Sequence, residues 1–405
     1  MYRPPTRRLR LRTTCSLVLL ILTAHAARAD SPTVVPVDGK PLPATIAAIT
    51  ADGKITFDAN GAKRELPVAD LVRWGACREI DRSPIVVLAD GGLLTVDEIT
   101  GELAAGKEDL TARFTLFGRQ TLPLELLGGV VFQPPAGRQQ RDRLIDRVAR
   151  ATGNSDRLML QNGDEITGLI EAIEGDSVRL KTDGRSIEID VDRIAALIFN
   201  PDLKQATPRD GLRVWAGFSD GSRLAATSMA ASKATLTLST TGSRTWKTLL
   251  RDLVSLQPLG GRVAYLSDLK PTSHRHVPYL TLAWPSFAAD RNITDGWLRA
   301  GGRLYLKGLG VHSAARLTYA VPAGSKRFEA DLAVDDSTRG GGSVRFRVFL
   351  DGREKHVSET IRGSDRPVPV AIDLAGAKRL DLVVDYADRA DQQDHANWLD
   401  ARLVR

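Results

Sequence analysis

Leu158-Met-Leu-Gln-Asn-Gly-Asp-Glu-Ile-Thr-Gly-Leu-Ile170 places apolar residues on both sides of an Asn162-Gly163 pair. An Asn-Gly pair between apolar runs is the strongest short-range signal for a two-residue β-hairpin turn. Two alternating stretches follow, Ser177-Val-Arg-Leu-Lys-Thr182 and Ser186-Ile-Glu-Ile-Asp-Val191. Because side chains of a strand point alternately to opposite faces, this period of two predicts short antiparallel strands with one buried face.

The same pattern of turn, alternating strands and apolar ending occurs four times. The four turns are Asp38-Gly39, Asp90-Gly91, Asn162-Gly163 and Asp220-Gly221. About five short strands per repeat predict small, strongly bent barrels that resemble Sm-like or SH3-like domains. The predicted barrels span residues 31–78, 83–135, 157–203 and 210–260. Because no basic stripe alternates with stacking aromatic residues, we expect them to act as spacers or to contact envelope proteins, and not to bind nucleic acid.

A helix is predicted in the segment between the second and third barrels, residues 136–156. Leu144, Ile145 and Val148 share one helical face, and Gly153 can end the helix. The segment is also rich in arginine. Two interpretations remain open: a solvated linker helix, or a helix whose arginines contact an acidic partner.

The N-terminus has the pattern of a cleaved signal peptide, residues 1–29. A basic segment precedes the apolar run from Cys15 to Ala24, and Ala27-Arg28-Ala29 is a small-residue cleavage site. The run is too short to span a membrane. We therefore expect export to the periplasm, the cell surface or the extracellular medium, with no membrane span.

The positive charge of the whole chain resides almost entirely in that leader. The formal net charge is +7, and residues 1–29 hold six arginines and no acidic residue. The remainder is therefore close to neutral. A nearly neutral protein lacks the electrostatic basis for binding nucleic acid.

From residue 263 onward, the predicted strands are longer and more regular. Segments such as Phe328–Val334, Val344–Leu350 and Arg379–Asp385 are separated by Gly, Asp and Pro residues. Eight or nine strands of this kind predict a β-sandwich of jelly-roll type over residues 263–405. The predicted fold class is thus all-β, with tandem small barrels followed by a jelly-roll β-sandwich.

Several motifs of this last third resemble the NPCBM family, whose name denotes carbohydrate-binding modules. They are Tyr265-Leu-Ser-Asp-Leu269, Lys307-Gly-Leu-Gly-Val-His-Ser313, Val334-Asp-Asp336, Gly342-Ser-Val-Arg-Phe-Arg-Val-Phe-Leu-Asp-Gly352, Val368-Pro-Val370 and Asp394-His-Ala-Asn-Trp-Leu-Asp-Ala-Arg402. The resemblance implies a jelly-roll module that binds glycans, including galactose-containing ones, without cleaving them. It also implies that a structural calcium ion accompanies some members.

A shallow sugar site needs one or two aromatic rings beside a few fixed polar groups. The candidates in this module are Trp284, Asp290, Arg291, Trp297, His312, Asp394, His395 and Trp398. Trp297 follows the turn-like Asp295-Gly296 pair, so we expect it to be an exposed platform. For Trp398 core packing is the alternative, and for His312 a buried, hydrogen-bonded ring.

Asp335 and Asp336 are the candidate ligands for a structural calcium ion, because carboxylate oxygens are the ligands that calcium prefers. The alternative is a turn rich in Asp, Ser and Gly that holds no ion. No other cofactor is expected.

No motif with a recognisable catalytic geometry occurs in the sequence. We therefore expect an exported, non-catalytic protein whose C-terminal sandwich binds glycans. The alternative is a structural component of the cell envelope, in which the sandwich mediates protein contacts without sugar binding.

Overall fold

Antiparallel strands dominate the computed structural model, which describes residues 32–103, 108–205, 211–280 and 283–405. The all-β fold class is confirmed, with 36 strands and one α-helix in these ranges. The predicted signal peptide, residues 1–29, lies outside the described residues.

Each segment predicted as a small barrel forms a unit of five or six strands. Unit 1 contains β1 (Thr33–Pro36), β2 (Leu42–Pro43), β3 (Thr45–Ile49), β4 (Lys54–Ala59), β5 (Ala62–Pro67) and β6 (Leu71–Gly75). Unit 2 contains β7 (Ile85–Leu88), β8 (Leu93–Thr95), β9 (Glu98–Glu102), β10 (Asp109–Phe114), β11 (Gly118–Pro123) and β12 (Leu127–Val131). Unit 3 contains β13 (Asp156–Leu160), β14 (Glu165–Glu174), β15 (Ser177–Thr182), β16 (Arg185–Asp190) and β17 (Ile194–Ile198). Unit 4 contains β18 (Arg213–Phe218), β19 (Arg223–Ser232), β20 (Thr235–Thr240), β21 (Arg244–Leu249) and β22 (Leu253–Leu259).

The alternation seen in the sequence determines which side chains are buried. In β15, Val178 and Leu180 are buried. Ser177 and Arg179, on the opposite face, are partly exposed, and Lys181 on that face is exposed. A 3₁₀ turn precedes the closing strand of every unit: Val68–Asp70, Leu124–Leu126, Val191–Arg193 and Leu250–Asp252. Further 3₁₀ turns are Pro201–Leu203, Thr241–Ser243, Leu266–Asp268 and Asp336–Thr338.

The four units, together called the barrel array, join in pairs through their closing strands. β6 of unit 1 pairs with β22 of unit 4, and β12 of unit 2 pairs with β17 of unit 3. A Cβ atom at Gly75 would lie 2.0 Å from the carbonyl oxygen of Val254. At Gly129, a Cβ atom would lie 2.1 Å from the carbonyl oxygen of Leu197. Glycine at both seams therefore allows the two backbones to approach.

A single hydrophobic core runs through all four units. Its buried residues include Phe57 of unit 1, Phe114 of unit 2, Leu180 of unit 3 and Trp246 of unit 4. Such a shared core makes the array one packed body, because each unit buries apolar surface that it could not bury alone.

Helix α1 (Arg138–Ala149) is packed into the protein, so of the two interpretations left open the solvated linker helix is wrong. Ile145 and Val148 are buried in a cluster with residues of β7, β12 and β17. Asp142 and Asp146 of the same helix are buried as well. None of the described helices is long and apolar enough to cross a membrane.

Residues 263–404 form two antiparallel sheets and a small hairpin. Their strands are β23 (Val263–Tyr265), β24 (Ser273–His276), β25 (Ala288–Ala289), β26 (Leu298–Ala300), β27 (Arg303–Tyr305), β28 (Gly308–His312), β29 (Ala315–Ala320), β30 (Arg327–Val334), β31 (Ser343–Leu350), β32 (Arg353–Val357), β33 (Ile361–Arg362), β34 (Val368–Asp373), β35 (Arg379–Tyr386) and β36 (His395–Val404). The first sheet has the order β25-β28-β36-β30-β34, with β23 also paired to β36. The second has the order β24-β29-β35-β31-β32, with β33 paired to β31.

Strand β36 is buried on both faces. One face packs between the sheets, where Trp398 meets Phe328 and Phe346 edge to face. The other face meets the barrel array through Asp400. Its carboxylate forms an ion pair with Arg73, with Nε 3.2 Å away, and accepts a hydrogen bond from Gln257 Nε2 at 2.9 Å. The sandwich is therefore seated on the array, and residues 32–405 form one compact unit.

Arg299 of β26 makes a second connection between the sandwich and the array. Its Nη1 and Nη2 donate to the Asp142 carboxylate of α1 at 2.6 and 3.0 Å. Its Nε and Nη2 donate to Glu79, between units 1 and 2, at 2.5 and 2.8 Å. Burial alone would lower the pKa of Arg299, but the bonds to Glu79 and Asp142 outweigh it and raise that pKa. One guanidinium thus links three segments that are distant in sequence.

Gly129→Ala tests the seam between units 2 and 3. The new Cβ would clash with Leu197 and lie 2.6 Å from Val148 of α1. We expect the free energy of unfolding, measured by denaturant titration, to fall by about 1–3 kcal/mol. Gly137→Ala is the control, because its Cβ would meet only the flexible end of Gln140. Equal free energies of unfolding for the two variants would contradict the close backbone approach of units 2 and 3 at Gly129.

Arg299→Ala tests the junction between sandwich and array. It leaves the carboxylate of Asp142 buried without its cation, which costs about 3–5 kcal/mol of unfolding free energy. Arg362→Ala removes an exposed ion pair with Asp388 and should cost at most about 1 kcal/mol. Thermal and denaturant unfolding of both variants measure the difference. If Arg299→Ala loses no more unfolding free energy than Arg362→Ala, the junction contributes little to the stability of the protein.

Candidate functional site

Three histidines and one tryptophan meet at one end of the sandwich. His312 ends β28 and His395 begins β36, and the two residues are direct partners in the strand pairing. His276 ends β24 of the other sheet, and Trp284 lies in the segment after it. These four residues are called the His–Trp cluster.

The rings of the cluster contact one another. Trp284 stacks on His312 with ring centroids 4.6 Å apart and ring planes 7° from parallel. His395 meets the edge of Trp284 at 5.4 Å, and His276 meets His312 at 5.8 Å. Trp284, His276 and His395 remain partly exposed. The cluster is therefore a partly open aromatic surface and not part of the core.

The hydrogen bonds of His312 indicate its tautomer. Nδ1 lies 2.9 Å from the carbonyl oxygen of Ser313, which can only accept, so Nδ1 carries the proton. Nε2 is then an acceptor, and it has no hydrogen-bond partner among the residues that the structure describes. Burial lowers the pKa of His312. The ring is therefore neutral at pH 7. It is only 2% exposed, so the structure corresponds to the alternative of a buried, hydrogen-bonded ring, with Nε2 left as an acceptor.

The other two imidazoles are anchored by single polar contacts. Nδ1 of His276 accepts from the backbone N–H of Trp284 at 3.4 Å, which leaves Nε2 to donate to the Ser313 carbonyl oxygen at 3.1 Å. Nδ1 of His395 lies 3.4 Å from the hydroxyl of Ser337. Burial, with a smaller effect of His312, lowers the pKa of His395. These contacts orient the rings that surround Trp284.

Asp394 supports the cluster from inside. Its Oδ2 accepts from the Ser313 hydroxyl at 2.6 Å, and its Oδ1 accepts from the backbone N–H of Ser343 at 2.8 Å. Burial raises the pKa of Asp394 to about 6, against the opposing effect of these two bonds. Its side chain is fully buried. Asp394 therefore positions the strand ends that hold His312 and His395 and does not itself face a ligand.

The prediction that Trp297 is an exposed platform is wrong. The residue is 3% exposed. Its backbone N–H donates to Asp142 Oδ2 at 3.0 Å, and its indole N–H lies 3.4 Å from Asp146 Oδ1. The Asp295-Gly296 turn places Trp297 against helix α1, a partner about 150 positions earlier that local sequence does not reveal.

Trp398, another candidate, lies in the core of the sandwich. It is 1% exposed, and its ring is 4.9 Å from that of Phe346. The structure therefore corresponds to the core-packing alternative, and Trp398 is removed from the candidate surface.

Asp290 and Arg291 lie at the junction with the barrel array and not in the His–Trp cluster. Asp290 accepts from Lys307 Nζ at 2.6 Å and from the backbone N–H of Gly308 at 3.1 Å. Arg291 forms a two-bond ion pair with Asp146 of helix α1. The structure thus divides the candidate residues among the His–Trp cluster, the junction with the array and the core of the sandwich.

Asp335 and Asp336 do not fit a calcium site. The Asp335 carboxylate accepts from the side-chain amides of Asn292 and Asn397 and from the backbone N–H groups of Arg299 and Ser337. Asp336 accepts from the backbone N–H groups of two glycines, Gly301 and Gly302. Because N–H donors occupy these oxygens, the pair forms the turn that was the alternative interpretation. Within the described ranges, no group of three or more His, Cys, Asp and Glu side chains is arranged to hold a metal ion.

His276 is the member of the cluster that the sequence analysis did not select. Its neighbour at position i−2, His274, lies on the same face of β24 and packs against Phe287. The spacing of His274 and His276 could have indicated two histidines on one face of a strand, because residues i and i+2 of a strand point the same way. The pairing of β24 with β29, which brings His276 to Ser313, has no local signal in the sequence.

Residues 262–404 match the family model described as NPCBM/NEW2 domain, so this part of the chain is an NPCBM/NEW2 domain. A curated relative is alpha-1,3-galactosidase B of Akkermansia muciniphila, 32% identical over 115 residues that cover 27% of this chain and 14% of that protein. The chain spans 14% or less of the length of the curated relatives that it matches.

Among solved structures, the chain is similar to CBM51 from Clostridium perfringens GH95 in complex with methyl-galactose. The identity is 26% and the TM-score 0.32, over 35% of this chain and 99% of that one. It is also similar to CBM51-2 with the INT domains of Clostridium perfringens ZmpB in complex with GlcNAc. There the identity is 22% and the TM-score 0.33, over 44% of this chain and 37% of that one.

The burial of the imidazole rings predicts the pH at which they titrate. His312 and His395 should titrate below about 6.5, the ordinary pKa of histidine, because burial disfavours their charged forms. Trp284→Ala should move the His312 midpoint up toward that value by exposing the ring to water. The midpoints can be followed by long-range ¹H–¹⁵N NMR of the imidazoles across a pH titration.

The same shifts have a consequence for stability. Because the folded pKa values lie below the unfolded ones, the stability contributed by the two neutral rings is present above about pH 6.5. This stability is lost as the pH falls through the folded pKa values of His312 and His395.

Tyr386→Ala, which removes an exposed ring that contacts Tyr279, is the control for the NMR titration and should leave the midpoints of His312 and His395 unchanged. A wild-type midpoint at or above about 6.5 would contradict the burial of these rings.

Proposed function

We propose that the NPCBM/NEW2 domain of residues 262–404 binds a galactose-containing glycan at the His–Trp cluster without cleaving it. The observation that supports this most is the partly exposed ring of Trp284, held by His312 beneath it and His395 at its edge. A sugar presents C–H groups to an aromatic face and hydroxyl groups to polar side chains. The cluster offers both kinds of contact within one small surface.

The polar groups of the cluster suit a neutral ligand. The imidazoles of His312 and His395 are uncharged at pH 7, since burial lowers the pKa of each. Nε2 of His312 is an acceptor for a hydroxyl group. The galactose class is chosen because the Akkermansia muciniphila relative is named alpha-1,3-galactosidase B.

The arrangement of carboxylates supports binding without catalysis. Glycosidases flank the scissile bond with two carboxyl groups that reach the sugar. Asp394, the carboxylate that supports the cluster, is fully buried and held by Ser313 and Ser343. It therefore orients the rings and is not available to act on a bound sugar.

We also propose that the protein acts outside the cytoplasm, after removal of residues 1–29. The support is the basic segment, apolar run and Ala27-Arg28-Ala29 site of the leader. A binding module placed there would meet glycans of the cell surface or its surroundings.

Isothermal titration of the full chain with methyl α-galactoside tests the binding site. We expect a dissociation constant between about 1 μM and 1 mM for one shallow site. Trp284→Ala should weaken binding at least tenfold, about 1.4 kcal/mol, because the sugar loses its aromatic platform. Tyr386→Ala, the matched removal of an exposed ring in the same domain, should leave the affinity unchanged.

Two results would contradict this proposal. The first is no binding by the wild-type chain to any galactoside of an array. The second is equal binding by Trp284→Ala and the wild type, with thermal unfolding showing that both are folded. Release of free galactose from the ligand during the titration would contradict the non-catalytic role.

A further inference from the structure

A cavity of about 300 Å³ lies where the barrel array, helix α1 and the sandwich meet. Unit 2 contributes Leu93, unit 4 contributes Trp215, α1 contributes Ile145, and the sandwich contributes Trp297 and Tyr305. The cavity therefore exists only in the assembled chain. Its volume is at the small end of the range for ligand pockets, roughly 300–1,000 Å³.

The cationic side chains that line the cavity differ in their pairing. They are Arg150, Arg223, Arg291 and Lys307. Arg291 is neutralised by Asp146 of helix α1, and Lys307 lies 2.6 Å from carboxylate oxygens of both Asp268 and Asp290. By contrast, the guanidinium groups of Arg150 and Arg223 have no hydrogen-bond or ion-pair partner among the described residues.

Arg223 is the central unpaired cation. Its guanidinium lies 4.5 Å from the ring centroid of Trp297 and 6.0 Å from that of Trp215. Burial, together with the positive charge of Arg291, lowers the pKa of Arg223 to about 10, so the group remains charged at pH 7. Arg223 is partly exposed to the cavity and has no carboxylate partner, so its N–H donors are free to bind an anion there.

The acidic side chains of the cavity do not compensate Arg223. Asp146 and Asp290 are already paired with Arg291 and Lys307. The third acidic lining residue, Asp90, accepts from the backbone N–H of Gly92 at 2.8 Å, and three carboxylates against four cations leave one positive charge in excess. The excess charge facing the cavity is therefore positive.

We propose that this cavity is a second binding site, for a carboxylate-bearing ligand of the size of one sugar ring, such as a uronic acid. The planar guanidinium of Arg223 presents paired N–H donors that match a carboxylate. The half-buried ring of Trp215 offers a flat apolar surface for the ring of the ligand. Arg150, which is solvent-exposed, places a second guanidinium where the cavity meets solvent.

The site is independent of the His–Trp cluster. It draws residues from units 2 and 4 and from α1, whereas the cluster lies entirely within the sandwich. Its chemistry also differs, because the cavity is cationic, whereas burial favours the neutral imidazoles of His312 and His395 in the cluster. Loss of one site should therefore leave the other intact.

Isothermal titration of the full chain with D-glucuronate tests the cavity, with D-glucose and acetate as the partial ligands. We expect glucuronate to bind at least tenfold more tightly than either, because glucose lacks the carboxylate and acetate lacks the ring. Arg223→Gln should weaken glucuronate binding at least tenfold. Arg353→Gln, which removes an exposed arginine of β32, is the matched control and should have no effect.

Two further variants keep the test decisive. Arg150→Gln alters an exposed side chain, so it should fold normally and still weaken glucuronate binding, even if Arg223→Gln proves unstable. Trp284→Ala should lose galactoside binding and retain glucuronate binding. The proposal is overturned if the wild type does not bind glucuronate, if glucose or acetate binds equally well, or if the folded arginine variants bind like the wild type.

Discussion

The pairing of Arg299 with Asp142 and Glu79 determines how the sandwich is held against the rest of the chain. Four hydrogen bonds satisfy one guanidinium and two carboxylates, and Asp142 has no access to solvent. A fully buried carboxylate requires its cation, so helix α1 and strand β26 must be present together. Trp297 is drawn into the same junction through its contacts with Asp142 and Asp146. The junction thereby buries residues that an isolated sandwich would expose, and it encloses the cationic cavity beside them.

Features with local causes were predictable from the sequence. The Asp-Gly and Asn-Gly turns and the alternation of β15 depend on neighbours a few positions away, and the all-β fold followed from them. The positions of Trp297 and α1 depend on ion pairs between residues about 150 positions apart, which leave no periodic trace in the sequence. For the same reason the sequence predicted Trp297 at the surface and left open whether α1 is solvated. His312 and His395 were identified through family motifs, whereas His276 required the pairing of β24 with β29.

The chain combines two surfaces with different chemistry. The His–Trp cluster is neutral and partly open, formed at strand ends that Asp394 holds in place. The junction cavity is cationic and open to solvent at Arg150, and it is lined by unpaired guanidinium groups next to indole rings. The array of four units, which share one core, provides part of the wall of the junction cavity. The repeated units thus have a structural reason to accompany the sandwich.

A crystal structure of the full chain soaked with methyl α-galactoside shows where the sugar binds. We expect a sugar ring lying against the indole of Trp284, with a hydroxyl within about 3 Å of Nε2 of His312. A galactoside bound elsewhere on the sandwich, with the indole of Trp284 facing only solvent, would contradict this expectation.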